Sequence, residues 1–156
     1  MHIITTRWMR WNDEHKTQTQ EIEMKKITQL TARLFLGHIF LIAGLTKIGA
    51  YAGTQGYMEA MGVPGVLLPL VILLEIAGGL TIIAGWKTQY SAILLALFSV
   101  AAAAIFHNNF DDQIQTILFM KNIAIAGGLM LLAVHGAGAY SVDDRLARNT
   151  MTTHRI

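Results

Sequence analysis

The sequence predicts an all-α integral membrane protein, a four-helix bundle with both termini on the cytoplasmic side. Three observations carry that prediction. Hydrophobic residues make up 53% of the 156 residues and charged residues only 14%, against roughly 25% charged in an ordinary soluble domain. The charges crowd at the ends, with nine of 22 in residues 1–26 and five in residues 143–156. Thr88–Phe110 and Asn122–Val142 hold no Asp, Glu, Lys or Arg over 23 and 21 residues, and about 20 such residues span a bilayer. The segments are too long and too unalternating for barrel strands, and an open strand edge does not survive in lipid.

The first span is expected at 27–50, preceded by a polar N-terminal extension, residues 1–23. In that extension Trp8, Met9 and Trp11 stand beside Arg7 and Arg10, a pattern suited to a membrane surface. The blander reading makes Met24-Lys25-Lys26 the start, a compact basic flank for the span. Ala50-Tyr51-Ala52 has the small-x-small form of a secretory cleavage site. Lys47 would then sit in the cleavage region behind an unusually long charged leader, so the segment reads as a span. The remaining spans are expected at 66–86, 89–106 and 117–135. Their connections are a Gly- and Pro-punctuated loop (Gly49, Gly53, Gly56, Gly62-Val63-Pro64-Gly65), the tight turn Trp86-Lys87-Thr88, and the polar loop 107–116. Residues 24–145 form the membrane domain and residues 146–156 a cytoplasmic tail.

Orientation follows from Lys and Arg. One side collects Arg7, Arg10, Lys16, Lys25, Lys26, Lys87, Arg145, Arg148 and Arg155, with Arg33 just inside, while the other has only Lys47 and Lys121 near its loops, along with Glu59, Asp111 and Asp112. Cytoplasmic loops carry the positive excess, so the termini are expected there. Trp86 and Tyr140 on that side, and Tyr51 and Tyr57 opposite, suit interfacial aromatic belts.

Within the spans, small and ionisable residues share faces. Arg33, Gly37, Gly44 and Lys47 fall on one stripe of the first helix, and Glu75, Gly78 and Gly79 on one face of the second. Ala92, Ala96, Ser99 and Ala103 line the third, and Lys121, Gly128 and His135 the fourth. Small residues let membrane helices approach closely, so Gly37, Gly44, Gly78, Gly79, Gly127 and Gly128 are expected at packing faces. Glu75 lies near the bilayer midplane, where a charge costs at least about 2.5–3.5 kcal/mol on insertion scales. It is expected to be protonated or paired with Lys47, Lys121 or Arg33, either as a ligand-binding or proton-active carboxyl or as a structural pair fixing helix register. Lys47 and Arg33 lie close enough to the interfaces to snorkel. Arg33, Lys47, Glu75, Lys121 and Asn122 are the candidate ligand or proton-path residues, and Glu75 is the one catalytic candidate.

Other chemistries find little support. The chain has no cysteine, which removes disulfides, thiolate metal sites and a cysteine nucleophile. A net charge of +2 suits no large nucleic-acid footprint. There is no phosphate loop, dinucleotide fingerprint or nucleophile elbow. His107 and His135 sit at opposite membrane edges, whereas bis-histidine haem needs two ligands at one depth. His38 reads as a neutral packing residue, and Asp111 and Asp112 as a solvated turn rather than a cation site. No metal is expected.

Leu45-Thr46-Lys47, Gly62-Val63-Pro64, Leu74-Glu75-Ile76-Ala77-Gly78-Gly79, Phe119-Met120-Lys121-Asn122, Gly127-Gly128 and the ending Gly136-Ala137-Gly138-Ala139-Tyr140-Ser141-Val142-Asp143 resemble the motifs of the DoxX family. Within it, the chain looks most like its small bacterial inner-membrane members. The resemblance covers about residues 24–145. The family pattern commonly has a basic residue where Gln89 stands, with Lys87 nearby here. The resemblance implies a four-helix protein of the bacterial inner membrane, linked to quinone-coupled oxidation of sulfur compounds and to complexes handling thiol and oxidative stress. A bound quinone, a soluble or membrane redox partner and a homo-oligomer are expectations of that kind. The function expected first is a redox-associated membrane subunit using a cavity near Glu75, the partner supplying the redox centre. A proton-coupled transporter or channel acting as an oligomer, and a scaffold for soluble partners, are the alternatives.

Overall fold

The computed structural model describes residues 2–153, with side chains from residue 15 to residue 151. The chain folds as helices α1 (His2–Gly49), α2 (Tyr51–Ala60), α3 (Leu68–Ala84), α4 (Thr88–Phe106), α5 (Gln113–His135) and α6 (Val142–Thr153). A 3-10 turn, Gly65–Leu67, leads into α3, and no strand occurs among the described residues. Four helices, α1, α3, α4 and α5, are long and apolar enough to cross a membrane. Large apolar side chains such as Phe35, Leu70, Leu97 and Val134 point outward, as lipid-facing surfaces do. The all-α four-span architecture is therefore the observed one.

Two elements depart from the sequence expectation at the chain ends and one in the first connection. The polar extension is helical and runs on into the first span: α1 is one helix of 48 residues, about 72 Å long at 1.5 Å per residue. Residues 1–26 contain no Gly or Pro, and Gln, Glu, Lys and Met propagate a helix well. The surface role considered for Trp8, Met9 and Trp11 lies outside the described side chains. Gly53 and Gly56 do not keep the first connection irregular. They sit in α2, which docks through the buried Met58 and through Tyr57, whose ring lies 5.7 Å from that of Phe106. The tail expected at 146–156 lies largely in α6, opened by Ser141, whose Oγ accepts from the Asp144 amide at 3.1 Å. That is the first half of a capping box.

The bundle is two helix pairs, α1 on α3 and α4 on α5, closed by α3 against α4 and α1 against α5. Glycine sets the first pair. A Cβ on Gly79 would lie 2.7 Å from the Gly37 carbonyl oxygen, and one on Gly37 would lie 2.7 Å from that of Gly79. A Cβ on Gly44 would meet Ile76 at 2.7 Å and the Glu75 Cβ at 3.2 Å. Gly78 instead receives Leu95 of α4. In the second pair alanine supplies the small face: Ala92, Ala96, Ser99 and Ala103 are all buried, against Ala126, Leu129 and Leu132 of α5. Gly127 corrects the expected packing set, because it looks into open space, and Gly128 meets only Leu36, at 3.3 Å. With α4 already presenting alanines, α5 packs with leucines and needs no glycine there.

The end of the bundle that carries the termini is closed by the strap between α5 and α6. Gly136 and Gly138 adopt positive φ, and a Cβ on Gly138 would collide with Gln29 of α1. The strap lays the Tyr140 carbonyl against Arg33, which donates to it through Nη2. Asp143 then accepts from the Lys87 and Thr88 amides at 2.7 and 3.0 Å, capping the free N-terminus of α4 from another element. Gly85, at φ 70°, leaves room for the guanidinium where a Cβ would overlap Arg33 Nη1.

Candidate functional site

At the opposite end, under α2, the four spans line a partly open cavity of about 440 Å³. Its wall is mainly apolar and partly aromatic, with Phe40 from α1, Phe98 and Phe106 from α4, and Tyr57 from α2. The polar groups reach it from different helices: Lys47 from α1, Glu75 from α3, Lys121 and Asn122 from α5, and His107 just beyond α4. A largely apolar pocket with a few convergent polar groups is the usual form of a small-molecule site.

Glu75 anchors the arrangement. Its side chain is only 4% exposed, and Oε1 accepts from Lys47 Nζ at 2.8 Å. The close approach at Gly44 brings α1 against Glu75, so that Lys47, one turn further along, reaches back to the carboxylate. Oε2 is buried and accepts no hydrogen bond from the protein. The carboxylate therefore keeps acceptor capacity beside the cavity. Lys121 is exposed and lines the same cavity. Asn122 donates from Nδ2 to the Leu118 carbonyl at 3.0 Å, leaving its amide oxygen without that commitment. His107 Nδ1 lies 2.8 Å from Gln115 Oε1, which favours the tautomer with the proton on Nδ1. Tyr57 donates from its hydroxyl to the Phe106 carbonyl at 3.1 Å, fastening α2 over the cavity.

Of the five residues singled out from sequence, the structure brings Lys47, Glu75, Lys121 and Asn122 to one cavity. Arg33 lies apart. It shares a helix face with Lys47 but is completely buried at the termini end, held by the strap, with Nε and Nη1 lacking protein partners. Its place is architectural, joining α1 to the strap and the α3–α4 turn. His107, Tyr57, Thr54 and the aromatic wall were not singled out as site residues. No periodic pattern links them, because they come from α2, from α4 and from the end of a helix. His135 is at the far end of α5, with Nδ1 on the Leu131 carbonyl, and His38 is exposed, with Nδ1 on the Leu34 carbonyl. Asp112 caps α5, accepting from the Ile114 amide at 2.7 Å. Among the described residues no group of His, Asp or Glu is placed to hold a metal ion.

Of the motif segments, those around Lys47, Glu75 and Lys121 reach the cavity wall, Gly78 and Gly79 lie at helix contacts, and the ending 136–143 forms the strap. The DoxX family model matches residues 28–108. The chain belongs to the DoxX family. It is 51% identical over 123 residues to Inner membrane protein YqjF of Escherichia coli, covering 77% of this chain and 95% of that protein. It is 34% identical over 128 residues to Inner membrane protein YphA of the same organism, covering 78% and 91%. "Putative oxidoreductase CatD" of Bacillus subtilis is 26% identical over 112 residues, covering 68% and 84%. No solved structure gives a significant match. This DoxX-family chain is accordingly a multi-pass protein of the bacterial inner membrane.

Proposed function

We propose that this DoxX-family protein is a quinone-linked membrane subunit, which holds a quinone or quinol ring in the cavity under α2 while a partner protein supplies the redox centre. The observation that carries the reading is a buried carboxylate, half-paired to Lys47, on the wall of an aromatic-lined cavity inside the membrane-spanning bundle. A quinone ring needs flat apolar walls for its body and hydrogen-bonding groups for its oxygens. Phe40, Phe98 and Phe106 offer the first, and Lys47, Glu75 and Lys121 the second. The oxidoreductase name of the Bacillus subtilis relative supports the same direction. The chain's own groups bind, orient and exchange protons; electron transfer belongs to the partner.

Purified protein, extracted with its lipids, is expected to carry quinone above the level of a control membrane protein prepared identically. A photoreactive quinone analogue should label peptides from α3 and α5. Glu75→Gln should remain inserted and folded, because Gln still accepts from Lys47, while quinone affinity falls about ten-fold for loss of a charge-assisted contact. Absence of quinone binding, or a variant that binds as well as the native protein, overturns the proposal. Proton-dependent uptake by vesicles without quinone binding would favour the transporter reading instead.

A further inference from the structure

The charges around the cavity do not balance. Three Lys or Glu side chains line it: Lys47, Glu75 and Lys121. Lys47 and Glu75 pair with each other at 2.8 Å. Of the titratable groups facing the cavity, His107 is engaged through Nδ1 with Gln115, and Tyr57 through its hydroxyl with the Phe106 carbonyl. Neither pairs with Lys121. One positive charge is left over, and it projects from α5.

Its depth makes that charge informative. Lys121 stands eight residues inside α5, which begins at Gln113, about 12 Å along the helix axis. A cation so far inside a span is costly unless an anion meets it or its side chain escapes to the interface. Lys121 combines this depth with a place on the wall of an apolar cavity, so an anion bound in that cavity would meet it directly. Asn122, next in sequence and on the same wall, adds a neutral polar contact rather than a countercharge.

We infer that the cavity selects the ionised form of its ligand, an apolar ring body bearing one acidic oxygen, and that Lys121 is the residue that reads the negative charge. The inference rests on the quinone reading for the ring body and adds the charge state. The same chemistry could be met by the phosphate of a bilayer lipid, reached by a snorkelling Lys121, and the experiment separates the two.

The test uses the full-length protein in nanodiscs of phosphatidylcholine, which is zwitterionic and supplies the competing lipid phosphate. The probes are an alkylated 2-hydroxy-1,4-naphthoquinone, whose ring hydroxyl is ionised at neutral pH, and its 2-methoxy ether, which cannot ionise. The hydroxy compound is expected to bind about ten-fold tighter or better. Its visible absorbance, which reports ionisation, should show the bound ligand staying ionised to lower pH than the free ligand. Lys121→Gln should abolish the difference in affinity between the two probes, with the hydroxy compound losing far more binding than the ether. Lys121→Arg should keep the preference, so a misfolded Gln variant would not leave the result open. Equal affinity for the two probes overturns the inference while leaving the quinone reading intact. Binding of neither probe overturns both. A preference that survives Lys121→Gln shows that Lys121 faces lipid headgroups and overturns its assignment.

Discussion

At Gly79 a single added methyl group would sit 2.7 Å from the Gly37 carbonyl oxygen and 2.9 Å from the Leu41 amide nitrogen. Both contacts are backbone, so α1 and α3 would have to separate. Gly127 offers the opposite case, with nothing within 4 Å of the added atom. Gly79→Ala should therefore destabilise the protein by about 1–3 kcal/mol, the usual range for overpacking. Gly127→Ala should be neutral or slightly stabilising, since alanine is the better helix former. Thermal unfolding in detergent, followed by far-UV circular dichroism, distinguishes them, and equal effects would show that the α1–α3 contact is not set by glycine. The contrast also marks what a sequence can reveal at this scale. Gly37, Gly44, Gly78 and Gly79 were legible as packing residues because helical periodicity puts each toward a neighbour. Gly127 was not, because the neighbouring helix had already supplied its alanines, a fact about α4 that no pattern within α5 contains. Glu75 was legible through its cost: a carboxyl in the middle of an apolar run requires a partner. Which of three cations would serve was not, because the answer depends on the close approach at Gly44.

Helices bring the next level of information, and the short ones were the hardest to foresee. α2 contains Gly53 and Gly56, each unfavourable in a helix by roughly 1 kcal/mol relative to alanine. It forms because the buried Met58 and the Tyr57–Phe106 contact fix it against the bundle, a tertiary effect that overrides local propensity. The start of α6 did carry a signal, Ser141-Val142-Asp143-Asp144, a capping residue followed three places later by an acid. The N-terminal half of α1 is different again. The described side chains of residues 15–22 are all exposed, and no membrane-spanning segment is needed from residues 1–23. Deleting residues 1–23 is expected to leave membrane-inserted yield and the thermal midpoint in detergent unchanged. The deletion removes Glu23 and with it surface contacts to Lys26 and Tyr140, which are of the exposed kind that contributes little. Loss of inserted protein would show that the projecting part of α1 is required for assembly.

Across the whole molecule the two ends of the bundle differ in charge as well as in task. The end with α2 exposes Glu59, Asp111 and Asp112 in and beside its connections, while Lys47 is paired with Glu75 and Lys121 lines the cavity. The other end presents Lys87, Arg145 and Arg148 together with Lys25 and Lys26 where α1 enters the bundle. By the tendency of positive loops to stay on the cytoplasmic side, the strap, α6 and both termini are expected in the cytoplasm and the cavity end toward the periplasm. The chain has no cysteine, so single thiols report sidedness without background. Thr88 opens α4 just after the α3–α4 turn but is fully buried, and a thiol there would stay silent whichever way the protein faced. Gly53, Gln113, Arg145 and Thr150 are exposed and suit the purpose. Cysteines at Gly53 and Gln113 should react in intact spheroplasts with a membrane-impermeant maleimide. Those at Arg145 and Thr150 should react only after the membrane is opened. The reverse pattern would place the cavity on the cytoplasmic side, where a quinone-linked partner would have to be a cytoplasmic protein. The expected pattern instead directs the search for that partner to the periplasmic face, while leaving the cytoplasmic strap as the surface that holds α1, α4 and α5 in register.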